Sequence, residues 1–122
     1  MSKVLDFINE CGPFFVLTVK ENAPIGRPFG AIMEDDDHLY ISTSNLKEVY
    51  KQMKENPNIA IIALKPGTRL WMRLSAKAFE TFDLAIKAKM LEVCPQIQKH
   101  YHSADDRIYA VFKLEVDNVE FY

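Results

Sequence analysis

The sequence predicts a mainly β fold with helices, in which six antiparallel strands form a barrel. Three observations carry this reading. Runs rich in β-branched and aromatic residues recur along the chain, as at FFVLTVK and NIAIIALK. Most are joined by short polar turns such as ENAP, EDDD and PGT, which suit antiparallel neighbours. Helical periodicity is confined to an N-terminal stretch, one stretch between the third and fourth strands, and one after the fifth. The 122 residues suffice for one domain spanning 1–122, and a 48% apolar content can fill its core.

Ser2 is placed to cap a first helix carrying Val4, Leu5 and Ile8, which Gly12-Pro13 ends. FFVLTVK, residues 14–20, forms the first strand, and ENAP turns the chain into a second, IGRPFGAIM, residues 25–33. The acidic run EDDD, residues 34–37, is a polar turn; its carboxylates lack the spacing of a calcium loop. The third strand starts at His38. Leu46, Val49, Tyr50 and Met53 then recur at helical spacing until Asn56-Pro57, and this helix is placed to plug one barrel end. NIAIIALK, residues 58–65, is continuously apolar and is expected to be buried on both faces. The fifth strand alternates: Leu70, Met72, Leu74, Ala76 and Ala78 face one way, and Arg69, Trp71, Arg73, Ser75 and Lys77 the other. DLAIKAKMLEVC is an amphipathic helix ended by Pro95, with Lys87 expected on its surface. A short helical piece, QIQKHYHSADD, leads to a last strand, IYAVFKLEV, followed by NVEFY.

A net charge of −2, with both signs interspersed, argues against a nucleic-acid binder, which would carry a basic stripe. No apolar run approaches the ~18 residues of a membrane span. The N-terminus, MSKVLDFINECG, lacks a signal-peptide core, so a cytoplasmic protein is expected. Cys11 and Cys94 are too few for a disulfide framework and have no partner at metal-ligand spacing. No dinucleotide-binding glycine fingerprint, P-loop or nucleophile elbow occurs. His38, His100 and His102 include an HYH pair without an evident third ligand, which reads as surface histidines rather than a metal or haem site. No acid, base or nucleophile stands out, so no catalytic residue is assigned.

Chemistry concentrates in three places. In LYISTSNLKEVYKQ, residues 39–52, a strand passes into a helix through Ser42, Thr43, Ser44 and Asn45, and Lys47 falls where the helix begins. A helix N-terminus carries unpaired N–H groups and partial positive charge, so a first-turn lysine is unfavourable by ~0.3–1 kcal/mol. An anion held between Lys47 and those N–H groups would reverse the sign. The plainer alternative is an Asn45 cap, closed by Glu48 in a capping-box-like pair, with Lys47 solvated. In GRPFG, residues 26–30, Pro28 cannot donate to a ladder and marks an edge or bulge. Its glycines permit close approach of a ligand, and Arg27 offers a fork suited to phosphate or a plain surface charge. Finally, Arg69, Trp71 and Arg73 interleave aromatic and cation on one strand face, suited to solvent, a planar ligand or a partner subunit.

Taken in order, GRPFGAIMEDDDHLYISTSNLKEVYKQMKENPNIAI, RLWMRLSAKA and a C-terminal strand resemble the pyridoxamine 5′-phosphate oxidase-like family of FMN-binding split barrels, and its short bacterial members most. The resemblance covers nearly the whole chain and is strongest from Arg27 to Ala78. It implies a six-stranded antiparallel split β-barrel that forms a homodimer with FMN at the interface. It implies that Arg27 and Lys47 hold the FMN phosphate, with Ser42 and Thr43 as neighbouring donors. Pro28, Phe29 and Gly30 would run along the flavin, and Trp71 would approach it, from the second subunit in one arrangement. The implied activity is that of a cytoplasmic FMN-dependent oxidoreductase reducing a small molecule, with NAD(P)H as candidate electron donor. The alternative is a non-catalytic flavin- or haem-binding protein. The chain stops at NVEFY without the arginine- and histidine-rich segment of the longer oxidases, so pyridoxamine phosphate is not the expected substrate.

Overall fold

The stretch expected to be one strand, residues 25–33, folds as two, and this break organises the molecule. The computed structural model describes residues 1–122. Helix α1 (Ser2–Cys11) is followed by β1 (Phe14–Lys20), β2 (Ala23–Phe29), β3 (Ile32–Asp35) and β4 (His38–Ser44). Then come α2 (Glu48–Glu55), β5 (Asn58–Leu64), β6 (Trp71–Thr81), α3 (Leu84–Val93), a 3-10 turn at Pro95–Ile97 and β7 (Tyr109–Phe121). There are thus seven strands, not six, in one antiparallel sheet of order β2-β1-β5-β6-β7-β4-β3. β2 and β3 are its two edges, and no ladder joins them, so the sheet is not closed into a barrel by hydrogen bonds. The covalent chain crosses between the edges at Gly30-Ala31. Pro28, paired with Phe15 on the edge strand β2, needs no outer ladder partner, which is where a proline is tolerated.

The alternation holds within β6, which starts at Trp71 and not at Arg69, so that Leu70 lies before the strand and is 49% exposed. Met72, Leu74, Ala76 and Ala78 of β6 are buried, while Trp71, Arg73, Ser75 and Lys77 are partly exposed. β7 absorbs most of the tail beyond Val116 through a bulge opposite Ser75 and Ala76, which pair with Asn118 and Val116. The β3–β4 hairpin turns at Asp36 and Asp37, both at positive φ (50° and 62°), a conformation that aspartate tolerates in two-residue hairpins. Glu34 and Asp35 lie in β3 rather than in the turn. Glu34 accepts from the Ser2 hydroxyl at 2.8 Å, so Ser2 lies inside α1 and does not cap it.

β5 departs from expectation. Ile59, Ile61 and Ala63 are buried, but Ile62 on the other face is only partly covered and Leu64 is 54% exposed. With Phe15 on β1, these side chains leave an apolar outer face bare.

Two cores fill the interior. The larger gathers 20 buried residues from α1, α2 and the sheet, including Phe14, Ile41, Val49, Met53, Leu74 and Phe112. The smaller packs Ala31, Met33, Tyr40, Met90, Ile97, Tyr101 and Tyr109 beneath α3. Lys87 belongs there and not on the surface: it is 7% exposed, and its Nζ donates to the Tyr109 carbonyl at 2.9 Å. Its aliphatic stem fills the helix's inner face while one backbone oxygen receives the charge. Asp83 caps α3, accepting from the backbone N–H groups of Ala85 and Ile86. Asp83→Ala is therefore expected to lower stability by ~1 kcal/mol, read as a shifted urea midpoint at constant slope. No helix is long and apolar enough to cross a membrane.

Candidate functional site

Where β2 parts from β3, the seam between the two cores opens into a cleft of about 290 Å³. Val49 of the larger core and Ala31, Ile97 and Tyr101 of the smaller core all line it.

Arg27 enters from β2. Its Nη1 donates to the Val16 carbonyl at 3.2 Å and to the Thr18 hydroxyl at 2.8 Å. Its Nη2 donates to Gln52 Oε1 at 2.8 Å, and the Thr18 hydroxyl donates to the same oxygen at 2.5 Å. All of these acceptors are neutral. The guanidinium is partly buried without a carboxylate, and burial holds its pKa below the ordinary value. It remains charged, as arginine does in proteins.

Lys47 occupies the N-cap position of α2, in extended backbone (φ −89°, ψ 152°), and not its first turn. The capping-box alternative does not form: Asn45 Nδ2 donates to the Arg107 carbonyl at 2.7 Å, and no side chain caps α2. Leu46 lies outside the helix and is 73% exposed. The Lys47 side chain lines the cleft and makes no ion pair. The N–H groups of Glu48 and Val49, at the start of α2, find no backbone acceptor.

Ser42 and Thr43, at the end of β4, are buried and line the cleft, yet neither hydroxyl has a hydrogen-bond partner in the chain. No fully buried side-chain nitrogen or oxygen in the molecule is left without a partner, so these hydroxyls keep some access to solvent at residues that line the cleft. Pro28, Phe29 and Gly30 complete the wall on the β2 side. Seven of the eight residues expected to hold a cofactor thus line one cleft. Trp71 does not. It stacks on Tyr122 with ring centroids 4.4 Å apart, and the Arg73 guanidinium lies 5.7 Å from both rings.

Sequence reasoning missed two groups. Thr18 and Gln52, which hold Arg27, sit at inward positions of β1 and α2 where apolar residues are the norm; that mismatch was the available signal. Gln96, Lys99, His100 and Tyr101 add a further stretch of wall from the segment after α3, whose path no periodicity reveals. Gln96 Nε2 donates to the Gly30 carbonyl at 3.1 Å, tying that wall to the crossing between the sheet edges. Burial raises the Tyr101 phenol pKa, with Asp106 adding to it, so the hydroxyl is a neutral donor at physiological pH. His102 lies outside the cleft. Arg27, Lys47 and Lys99 line the cleft and no Asp or Glu does. Such a site suits an oxyanion, held by charge on several sides and by hydroxyl and backbone donors.

Similarity to known proteins extends over the whole chain. The model of the family described as pyridoxamine 5′-phosphate oxidase matches residues 1–122. Among solved structures, a NimC/NimA family protein from Clostridium acetobutylicum is 31% identical, with a TM-score of 0.89 over 100% of this chain and 90% of that one. General Stress Protein 26 from Bacillus anthracis is 17% identical, with a TM-score of 0.81 over 98% of this chain and 91% of that one. A protein related to general stress protein 26, of the pyridoxinephosphate oxidase family and also from C. acetobutylicum, is 16% identical, with a TM-score of 0.81 over 99% and 86% of the two chains. The last two likenesses speak to the fold alone. No curated protein is similar enough in sequence to count as a relative.

Proposed function

The chain belongs to the pyridoxamine 5′-phosphate oxidase family, and from that premise we propose that it binds FMN in this cleft and serves as an oxidoreductase of a small molecule. One observation carries the proposal: two unpaired cations, Arg27 and Lys47, flank the partnerless hydroxyls of Ser42 and Thr43 in a cleft without a carboxylate. These residues fit a phosphate ester, which brings about −1.5 to −2 charges and three acceptor oxygens. Arg27 and Lys47 would take the charge, the hydroxyls and the free N–H groups of α2 the remaining lone pairs. Pro28, Phe29 and Gly30 would border the ring and keep water from one side of it. Bound there, the flavin would supply the electron-transfer chemistry, while the chain positions it. The absorption spectrum of the purified protein tests this. Flavin bands are expected, followed by turnover with NADH or NADPH. Flavin bands without turnover would favour a storage or sensing role, and a Soret band would favour haem.

The proposal includes a homodimer. A cleft of about 290 Å³ lies at the small end of ligand sites, so part of a flavin would project beyond it. The bare outer face of β1, β5 and β6 offers a cover. Phe15 lies across from Ile62, Ile62 across from Arg73, and Leu64 across from Trp71, an apolar field rimmed by the Trp71–Arg73–Tyr122 cluster. A continuously apolar β5 then makes sense, because a second copy would bury its outer side. Sedimentation at micromolar concentration is expected to give about twice the 14.1 kDa chain mass. A monomer that binds FMN fully would overturn the dimer. Trp71 meets the flavin only across that interface. Trp71→Ala is accordingly expected to weaken FMN ~2- to 10-fold, the equivalent of ~0.5–1.5 kcal/mol for an aromatic contact. A change at the exposed Lys20 should leave affinity alone, and equal affinities for the two variants would place Trp71 away from the ring.

A further inference from the structure

Lys87 is the one buried lysine of the chain, and no Asp or Glu lies within ion-pair distance of its ammonium. A buried cation without a counter-charge is unfavourable, and methionine would fill the same space in the smaller core. The ammonium makes one hydrogen bond, to the Tyr109 carbonyl at 2.9 Å. It also lies 5.2 Å from the centroid of the Tyr109 ring. The Tyr109 hydroxyl donates in return to the Lys87 carbonyl at 2.9 Å. Each side chain thus holds the other residue's backbone, and both bonds are buried. Burial raises the Tyr109 phenol pKa, so the hydroxyl stays protonated and keeps donating.

What this clamp holds is the start of β7. No helix or strand lies between the 3-10 turn at Pro95–Ile97 and Tyr109. The β6–β7 ladder ends at Thr81 and Val111, so Tyr109 lies beyond it, and α3 supplies the donor for its carbonyl. Tyr109 also pairs with Ser44, the last residue of β4. The two preceding carbonyls continue the contact. Ile108 accepts from the Asn45 N–H at 2.9 Å, and Arg107 from Asn45 Nδ2 at 2.7 Å. The Ser44 carbonyl then accepts from the Lys47 N–H at 3.1 Å. α2 has no side-chain cap, so at its N-terminus the helix takes its position from this junction. A line of bonds therefore runs from α3 through β7 and β4 to the N-cap of α2.

Resting on the reading that a flavin phosphate lies between Arg27 and Lys47, we infer that Lys87 is a positioning residue for that phosphate. It touches no ligand. It fixes where β7 begins, and through Ser44 and Asn45 it sets the place of Lys47 and of the free N–H groups of Glu48 and Val49. Recognition of a phosphate depends on such donors being held to a fraction of an ångström by the residues behind them. A lysine in a place where methionine would pack is then explained, because a charged donor holds the Tyr109 carbonyl as no apolar side chain can. The fold itself gains little from the charge.

Lys87→Met keeps the unbranched stem and removes the donor. FMN is expected to bind this variant ~10-fold more weakly, while riboflavin, which lacks the phosphate, changes by less than about 3-fold. A merely structural role would weaken both flavins alike. A double-mutant cycle with Lys47→Ala follows the route: once Lys47 is gone, Lys87→Met should weaken FMN by about 3-fold at most. In the ligand-free protein, amide exchange at Asn45 and Lys47 should speed up ~10-fold in Lys87→Met, while Ile61 of β5 keeps its wild-type rate. Tyr109→Phe removes only the returning bond and should give the same pattern at smaller size; it carries the test if Lys87→Met does not fold. The inference falls if both flavins weaken equally, if neither weakens, if the two substitutions act additively on FMN, or if exchange at Asn45 and Lys47 is unchanged. If wild type binds no flavin, the cofactor reading fails by itself, and exchange decides the clamp. Faster exchange confined to the Asn45–Lys47 junction upholds Lys87 as the residue that positions it, and unchanged or uniformly faster exchange overturns it.

Discussion

FMN is expected to bind at least ~100-fold more tightly than riboflavin, a gap of ~2.7 kcal/mol. The two share one ring system and differ by the phosphate, so the gap isolates the Arg27–Lys47 wall. Charge-assisted bonds from each cation are worth ~1.5–3 kcal/mol gross, and desolvation takes back part of that. Lys47→Ala should close much of the gap by weakening FMN while leaving riboflavin nearly unchanged. The ligand-free protein should hardly notice. Lys47 is exposed and forms no ion pair, and its cation faces the positive end of α2. Removing it should cost nothing or gain a few tenths of a kcal/mol from the helix dipole. Titrating both flavins into wild type and Lys47→Ala measures all of this. Equal losses for both ligands would mean that Lys47 supports the ring or the fold and not the phosphate.

The placement of Lys47 also illustrates what a sequence can and cannot convey. The strand-to-helix passage was legible, because Leu39 and Ile41 alternate with Tyr40 and Ser42 before Val49 and Met53 set a helical stripe. The helix start was not, because Ser44, Asn45 and Lys47 can each occupy an N-cap. The choice was settled from outside: Asn45 reaches the Arg107 carbonyl, and the Ser44 hydroxyl accepts from the Leu46 N–H at 3.2 Å. Residues 25–33 read as one strand because proline and glycine mark a disturbance without saying that the chain changes edges. Continuity of apolar residues in β5 signals burial on both faces, whereas the single chain covers only the face of Ile59, Ile61 and Ala63. Lys87 was misplaced because charge outweighs a long aliphatic stem in any pattern, whereas the packed core uses the stem. The Arg27–Lys47 side of the cleft was legible since its residues sit on regular elements in a recognisable order. The Lys99–Tyr101 side was not, since its position follows from the packing of Ile97 and Tyr101 into the smaller core.

Arg27→Met is expected to weaken FMN by ~100-fold or more while leaving the ligand-free fold within ~1 kcal/mol of wild type. The two halves of this prediction come from opposite signs. With phosphate present, the guanidinium supplies a charged, forked donor, the strongest kind of contact available to the site. Without it, Arg27 makes only bonds to neutral acceptors, against the cost of holding a partly buried cation with no counter-charge. Methionine retains the aliphatic stem, and the Thr18 hydroxyl keeps its bond to Gln52 Oε1. Gln52→Leu should behave differently. It removes the acceptor that Arg27 Nη2 and the Thr18 hydroxyl share and leaves Thr18 only a long bond to the Ile25 carbonyl at 3.4 Å, a loss of ~1–3 kcal/mol in stability. It should also loosen the fork that faces the phosphate, so FMN weakens although no phosphate donor has been removed. Arg27→Lys should restore little, because a point charge cannot reach Val16, Thr18, Gln52 and a phosphate from one planar fork. Urea midpoints and FMN titrations on the three variants separate these effects. If Arg27→Met binds FMN as wild type does, Arg27 is a brace between β1 and α2, and the phosphate lies elsewhere in the cleft.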